Sequence, residues 1–161
     1  MEVGAVIGNM SAREAVGTVS TLARGSLDRV DRQDAWTVEL EPGMPTDPQA
    51  WADSVFRSPP RWVQALLRLR NALVRVVGIE PGDPSVFDTL ERTDEEVLLG
   101  ADERHLDFRG SVRVSDGAVT LSTVVRMNNR RGRLYMLVVW PIHERVVRSM
   151  LRRAHGELAR G

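Results

Sequence analysis

The chain has 161 residues and a mass of 18.0 kDa. That is enough for a single domain to bury about two-thirds of its extended-chain surface in one core without covalent staples. Cysteine is absent and histidine occurs three times. This excludes disulfide scaffolds, thiolate zinc sites and cysteine nucleophiles, and leaves too few histidines for a His-based metal centre, so neither metal nor cofactor is expected. The formal net charge is zero and every basic residue is arginine. With no apolar run near the roughly 20 residues that cross a bilayer and no basic leader at the start, the expectation is a soluble cytoplasmic protein without membrane insertion.

Residues 1–27 are rich in Gly, Ser, Thr and Ala and read as an N-terminal arm, disordered or covering the sheet, with one domain over 28–161. Gly4 and Gly8 lack the spacing and the Lys-Ser/Thr ending of a phosphate loop. Order begins at Asp34, where Ala35 to Leu40 alternate with period two and place Trp36, Val38 and Leu40 on one strand face. Asp47-Pro48 is a helix start, with Trp51 and Val55 four apart, and Ser58-Pro59 opens a second helix that Gly78 stops. On that second helix Trp62, Leu66, Leu69, Leu73 and Val76 oppose Arg61, Gln64, Arg68, Asn71 and Arg75. Arg70 departs from the pattern, sharing a stripe with Val63, Leu67 and Val74. An unpaired buried guanidinium is untenable, so Arg70 either snorkels, pairs with a carboxylate, or anchors an acidic ligand.

After Pro81-Gly82-Asp83-Pro84 the period becomes two until Trp140. Antiparallel strands are expected near 86–90, 97–99, 105–114, 119–128 and 133–140, with Asp116-Gly117 and the Asn129 to Gly132 stretch as hairpin turns. Leu106 and Phe108 should face the core and His105, Asp107 and Arg109 the other side. Tyr135, Leu137 and Val139 make the last strand apolar on both faces, which suggests a homodimer or a covering arm. Pro141 then begins a terminal helix with Ile142, Val146, Val147, Met150, Leu151 and Ala154 along one face and Glu144, Arg145, Arg148 and Arg152 on the other.

His105 to Arg109, Thr123-Val124-Val125, Asn128-Asn129, Gly132 to Tyr135, Pro141-Ile142-His143, Pro60-Arg61-Trp62 and Leu69 to Val74 together resemble a bacterial domain-of-unknown-function family of the START-like superfamily. That superfamily is also called SRPBCC and is typified by polyketide cyclases and Bet v I-like proteins. The likeness runs from about Leu27 to Ala159, and the Gly-rich arm lies outside it. The resemblance implies an α+β helix-grip fold: a curved antiparallel sheet wrapped around a long C-terminal helix, with two helices inserted after the first strand. It also implies a space between sheet and helix, the usual form of a small-molecule site, but no particular reaction.

Within such a space Trp62, Phe108 and Trp140 offer flat walls, Met127, Met136 and Met150 adaptable ones, and Thr123 and Arg70 polar contacts. The expected occupant is a small hydrophobic or amphipathic molecule. The acid–base candidates are His143, near the start of the terminal helix, and Tyr135, with Arg109 to polarise a carbonyl. These would make the protein a cofactor-independent cyclase or dehydratase. A dimeric interaction protein with a filled core is the third expectation. Nine arginines against Glu144 and Glu157 between Arg126 and Gly161 give a local +7. They are scattered over several elements and offset by the acidic 28–53 stretch, so no nucleic-acid partner is expected.

Overall fold

The computed structural model describes residues 14–76, 78–79 and 87–161, and all of these but the Leu73 side chain. The glycines at positions 4 and 8, the turn at 81–84 and the start of the strand expected at 86 lie outside the described residues. The element order is β1 (Ala15–Val16), α1 (Thr21–Gly25), β2 (Arg32–Glu39), α2 (Pro48–Arg57), α3 (Arg61–Val76), β3 (Thr89–Arg92), β4 (Glu96–Asp102), β5 (Leu106–Ser115), β6 (Ala118–Met127) and α4 (Arg130–Leu158). The strands form one six-stranded antiparallel sheet in the order β1-β2-β6-β5-β4-β3. The class is α+β, and sheet, inserted helices and long C-terminal helix are compatible with a helix-grip arrangement.

Period-two alternation divides the sheet into two different faces. On one, Val38, Val97, Val112, Val119 and Leu121 pack against Trp51, Ala52 and Val55 of α2 and against Val147, Met150, Leu151 and Ala154 of α4. Asp47 caps α2 through its carboxylate and Pro48 takes the first helical position, as the sequence suggests. On the other face α1 lies over β5 and β6, burying Ala23 and Leu27 against Leu98 and Val124. Ser20 caps α1, and its backbone N–H donates to Ser122 Oγ at 3.3 Å. Ser111 and Ser122 are small enough to let this segment approach the sheet closely.

The β5–β6 hairpin turns at Asp116-Gly117, both with positive φ (53° and 72°), the left-handed pair of a type I′ two-residue turn. The stretch 133–140, expected as a strand, is instead the first part of α4. Asn129 caps that helix through its side-chain oxygen on Gly132 N–H at 3.0 Å, and Pro141 lies inside the helix rather than at its start. The two-faced apolar strand on which the homodimer expectation rests is therefore a helix. One side of it, with Met136, Val147, Met150 and Ala154, is buried, while Leu134, Leu137, Val138 and Ile142 remain exposed. Among the described residues, α3 is the element least engaged with the rest. It reaches the core through Val63 and Val74, and Leu69 and Val76 stay exposed.

Candidate functional site

Two polar groups interrupt the apolar packing beneath α4. The first gathers at the end of the sheet where β4 meets β5. There a second apolar cluster, apart from the main core, joins Leu106, Val125 and Met136 with the half-buried Phe108, Met127, Tyr135 and Trp140. Arg70 arrives from α3, and its Nε donates to the Tyr135 hydroxyl at 2.7 Å while its guanidinium carbon stands 5.3 Å from the ring centroid. Of the alternatives raised by its stripe, Arg70 therefore finds, among the described residues, a hydroxyl rather than a carboxylate. His105, in the loop before β5, meets Tyr135 edge to face at 5.4 Å, and Glu103 Oε2 lies 3.4 Å from His105 Nε2.

This closeness depends on Gly132. A Cβ there would collide with the His105 carbonyl, so only glycine lets the first turn of α4 rest on that loop. Asn128 and Asn129 hold the loop from the other side, their amide nitrogens donating to the Glu103 and Arg104 carbonyls, each at 2.9 Å.

Burial sets the protonation of the cluster. It raises the Glu103 carboxyl above its usual range against the opposing pull of Arg70, with Asp107 adding to the rise. Burial lowers His105, and the Arg70 charge lowers it further, so the imidazole is neutral near pH 7. Burial also raises Tyr135, again opposed by Arg70. At neutral pH Tyr135 is then a phenol whose oxygen accepts from Arg70 and whose proton is available to a bound acceptor. It is a hydrogen-bond donor or acid, not a base.

The second polar group lies between the two apolar clusters. His143 Nε2 is 3.2 Å from Thr123 Oγ1 and 3.4 Å from Asp34 Oδ1, and the imidazole stacks on Trp140 at 4.9 Å with planes 10° apart. Asp34 pairs with Thr123 across β2 and β6, which brings both under α4. Both oxygens address the same imidazole nitrogen. A Thr–His–Asp relay needs hydroxyl and carboxylate on opposite nitrogens, and here only Thr123 is hydrogen-bonded to the imidazole while Asp34 Oδ1 is buried beside it, so this is not a nucleophilic triad. His143 also stands about three and a half turns into α4 rather than in its first turn, so no helix N-terminus acts on it.

The remaining candidates lie elsewhere. Met150 is part of the main core, and Trp62 is 43 % exposed on the outer side of α3. Arg109 projects from the face of β5 opposite α4, where it pairs with Asp102 at 2.7 Å and with the Ala101 and Phe108 carbonyls. Of the row His105, Asp107 and Arg109, expected on the side away from the core, His105 precedes β5 and packs instead against Tyr135. Asp107 and Arg109 do lie on that side but are buried there, Asp107 held by Asn128 and Arg126, and neither can act on anything beneath α4.

Asp34 and Glu103 escape a reading of the sequence alone, although Asp34 was within reach. Extending the inward parity of Trp36, Val38 and Leu40 back by two residues puts an acid on the buried face. Among the described residues no group of three acids or histidines is arranged to hold a metal ion, and no helix is long and apolar enough to cross a membrane.

Residues 26–150 match the family described as "Protein of unknown function (DUF2867)". The chain belongs to this family. The match includes every residue of both polar groups and ends within α4. No curated protein and no solved structure matches the chain.

Proposed function

We propose that this member of the family is a START-like, helix-grip protein of the bacterial cytoplasm. It binds a small amphipathic molecule between the sheet and α4, at the Phe108–Tyr135–Trp140 end. The observation that carries the reading is the separation of that apolar cluster from the main core, together with the polar edge that closes it: Arg70, Tyr135 and His105 on one side, His143 and Thr123 on the other. Phe108, Met127, Met136 and Trp140 supply walls that adapt to a ring or branched chain. The Tyr135 phenol, polarised by Arg70, supplies a donor for a carbonyl or hydroxyl. Arg70 comes from α3, which among the described residues is the least engaged helix, so a ligand is admitted by movement of α3 rather than by opening of the sheet.

A panel of aromatic and polyketide-like carbonyl compounds, screened by thermal shift, tests the reading. A ligand present at a hundred times its Kd stabilises the fold by about 2.7 kcal/mol, and Trp140→Ala or Met136→Ala abolishes the shift. Stabilisation unaffected by these variants would remove the site.

The contact of His143 with Asp34 and Thr123 favours a second reading, in which the same molecule undergoes cofactor-independent cyclisation or dehydration with His143 as the proton acceptor and Tyr135 as the donor. His143→Gln distinguishes the two. Affinity is preserved in either case, whereas turnover of a substrate falls about a hundredfold or more only in a catalyst.

A further inference from the structure

Arg145, Arg148 and Arg152 recur at spacings of three and four along α4, which puts them in one row away from the face that carries Met136, Trp140 and His143. Together with Ser149, Trp62 of α3 and Glu14 they line a groove of about 400 Å³. A carboxylate already occupies its floor. Glu14 Oε1 accepts from Arg148 Nε at 3.0 Å and lies 3.4 Å from Arg152 Nε, and the Glu14 side chain is only 5 % exposed. Arg148 is fixed from two further directions, by Glu144 at 2.9 Å and by the Trp36 ring, whose centroid is 4.7 Å away. Arg145 makes no ion pair among the described residues, so cationic charge in the groove exceeds what Glu14 neutralises.

The groove does not end in polar surface. On α4, Ile142 and Val138 continue the line of Arg145 toward the helix N-terminus, and on α3, Leu66 and Leu69 continue the line of Trp62. Val138 is 62 % and Leu69 55 % exposed. Two apolar rows thus lead away from a cluster of guanidiniums preorganised around a carboxylate. Polyphosphates and nucleic acid have no use for the apolar rows, and a neutral lipid has none for the arginines.

We propose that this outer groove binds an amphipathic carboxylate. The head group sits on Arg148 and Arg152 in place of Glu14, and the chain lies along Trp62, Leu66 and Ile142. Glu14 is then an internal competitor that holds the arginines in position when the groove is free. The site is on the opposite side of α4 from the one described above and does not depend on it.

The test is calorimetric titration of the full chain with decanoate and with decanol, both below their aggregation concentrations, alongside vesicles rich in anionic lipid. Decanoate is expected to bind at least tenfold more tightly than decanol. Arg148→Gln or Arg152→Gln is expected to weaken decanoate at least tenfold, and Glu14→Gln to tighten it several-fold, since it removes the competitor. Arg152→Gln leaves the Arg148–Trp36 contact intact and so keeps the test valid if Arg148→Gln proves unfolded. Decanoate bound at the inner site would not respond to Glu14→Gln. Equal affinity for decanol and decanoate, affinity unchanged in the arginine variants, or binding to vesicles without binding to decanoate would each overturn the proposal.

Discussion

Among the described residues, the bond between Arg70 and Tyr135 is the side-chain hydrogen bond that ties α3 to α4, and Tyr135→Phe removes it with almost no change of shape. The ring remains in the Met136–Trp140 cluster, and the stacking of Arg70 over it, at 5.3 Å, survives because phenylalanine has the same face. What is lost is a charge-assisted bond of 2.7 Å. Such bonds contribute about 1.5–3 kcal/mol when desolvated, and here less, because Arg70 is only partly buried and its freed Nε can recruit water. The expected cost is about 1–2 kcal/mol, borne by the docking of α3 rather than by the sheet. Hydrogen exchange reads this directly: amides of 64–76 should open about 5- to 30-fold more often, while those of β5 and β6 change in step with global stability only. An unchanged α3, or a uniform loss across all elements, would refute the idea that this bond holds α3 in place.

His105 is buried with its pKa depressed below 6.5, so the unfolded chain takes up a proton before the native one does. Its contribution to stability is complete above pH 6.5 and is lost as the pH falls toward the native value. Chemical denaturation of wild type and His105→Gln between pH 8 and 5 should therefore show the wild type losing its relative advantage on acidification, and parallel curves would contradict the assignment. Gly132→Ala forces the α4 first turn away from the His105 carbonyl and should cost about 1–3 kcal/mol in urea denaturation, despite alanine being the better helix former. A stabilised variant would show that the close approach is absent. Pro141→Ala restores an N–H inside α4 and should raise stability by about 1–3 kcal/mol, a gain that the midpoint of urea unfolding would register. A loss would mean that Pro141 sets a local helix geometry that the fit of α4 to the sheet needs.

The elements that could be read from sequence are those whose local signals agree with their packing. Asp47-Pro48 names the start of α2, and alternation across β5 and β6 with Asp-Gly between them names a hairpin. The stretch Arg133 to Trp140 misleads for an identifiable reason. Its Tyr, Val and Trp residues favour strands, its run is apolar at odd and even positions alike as in a strand buried on both faces, and Pro141 imitates a helix start. The helical signal is present as well, in Asn129 as a cap and in the spacing of Met136, Trp140, His143, Val147 and Met150, but it becomes decisive only when the sheet supplies a surface for that face to cover. The same false start places His143 near a helix terminus, whereas α4 begins at Arg130 and His143 lies well inside it. The polar groups of the site were less legible than the apolar ones, because Arg70, Glu103 and His105 come from α3 and a loop whose approach to Tyr135 depends on tertiary packing alone. Arg109 shows the converse. Its position on the opposite face followed from period two, and the structure adds the pairing with Asp102 that keeps it there.

Native mass spectrometry of the chain purified gently from its own host, set against the mass of the denatured chain, tests the ligand site beneath α4 most directly. The proposed function predicts a discrete additional mass of a few hundred daltons that disappears in Trp140→Ala and persists in Arg152→Gln. A bare wild-type chain that also gives no thermal shift with any amphipathic carbonyl compound would contradict it.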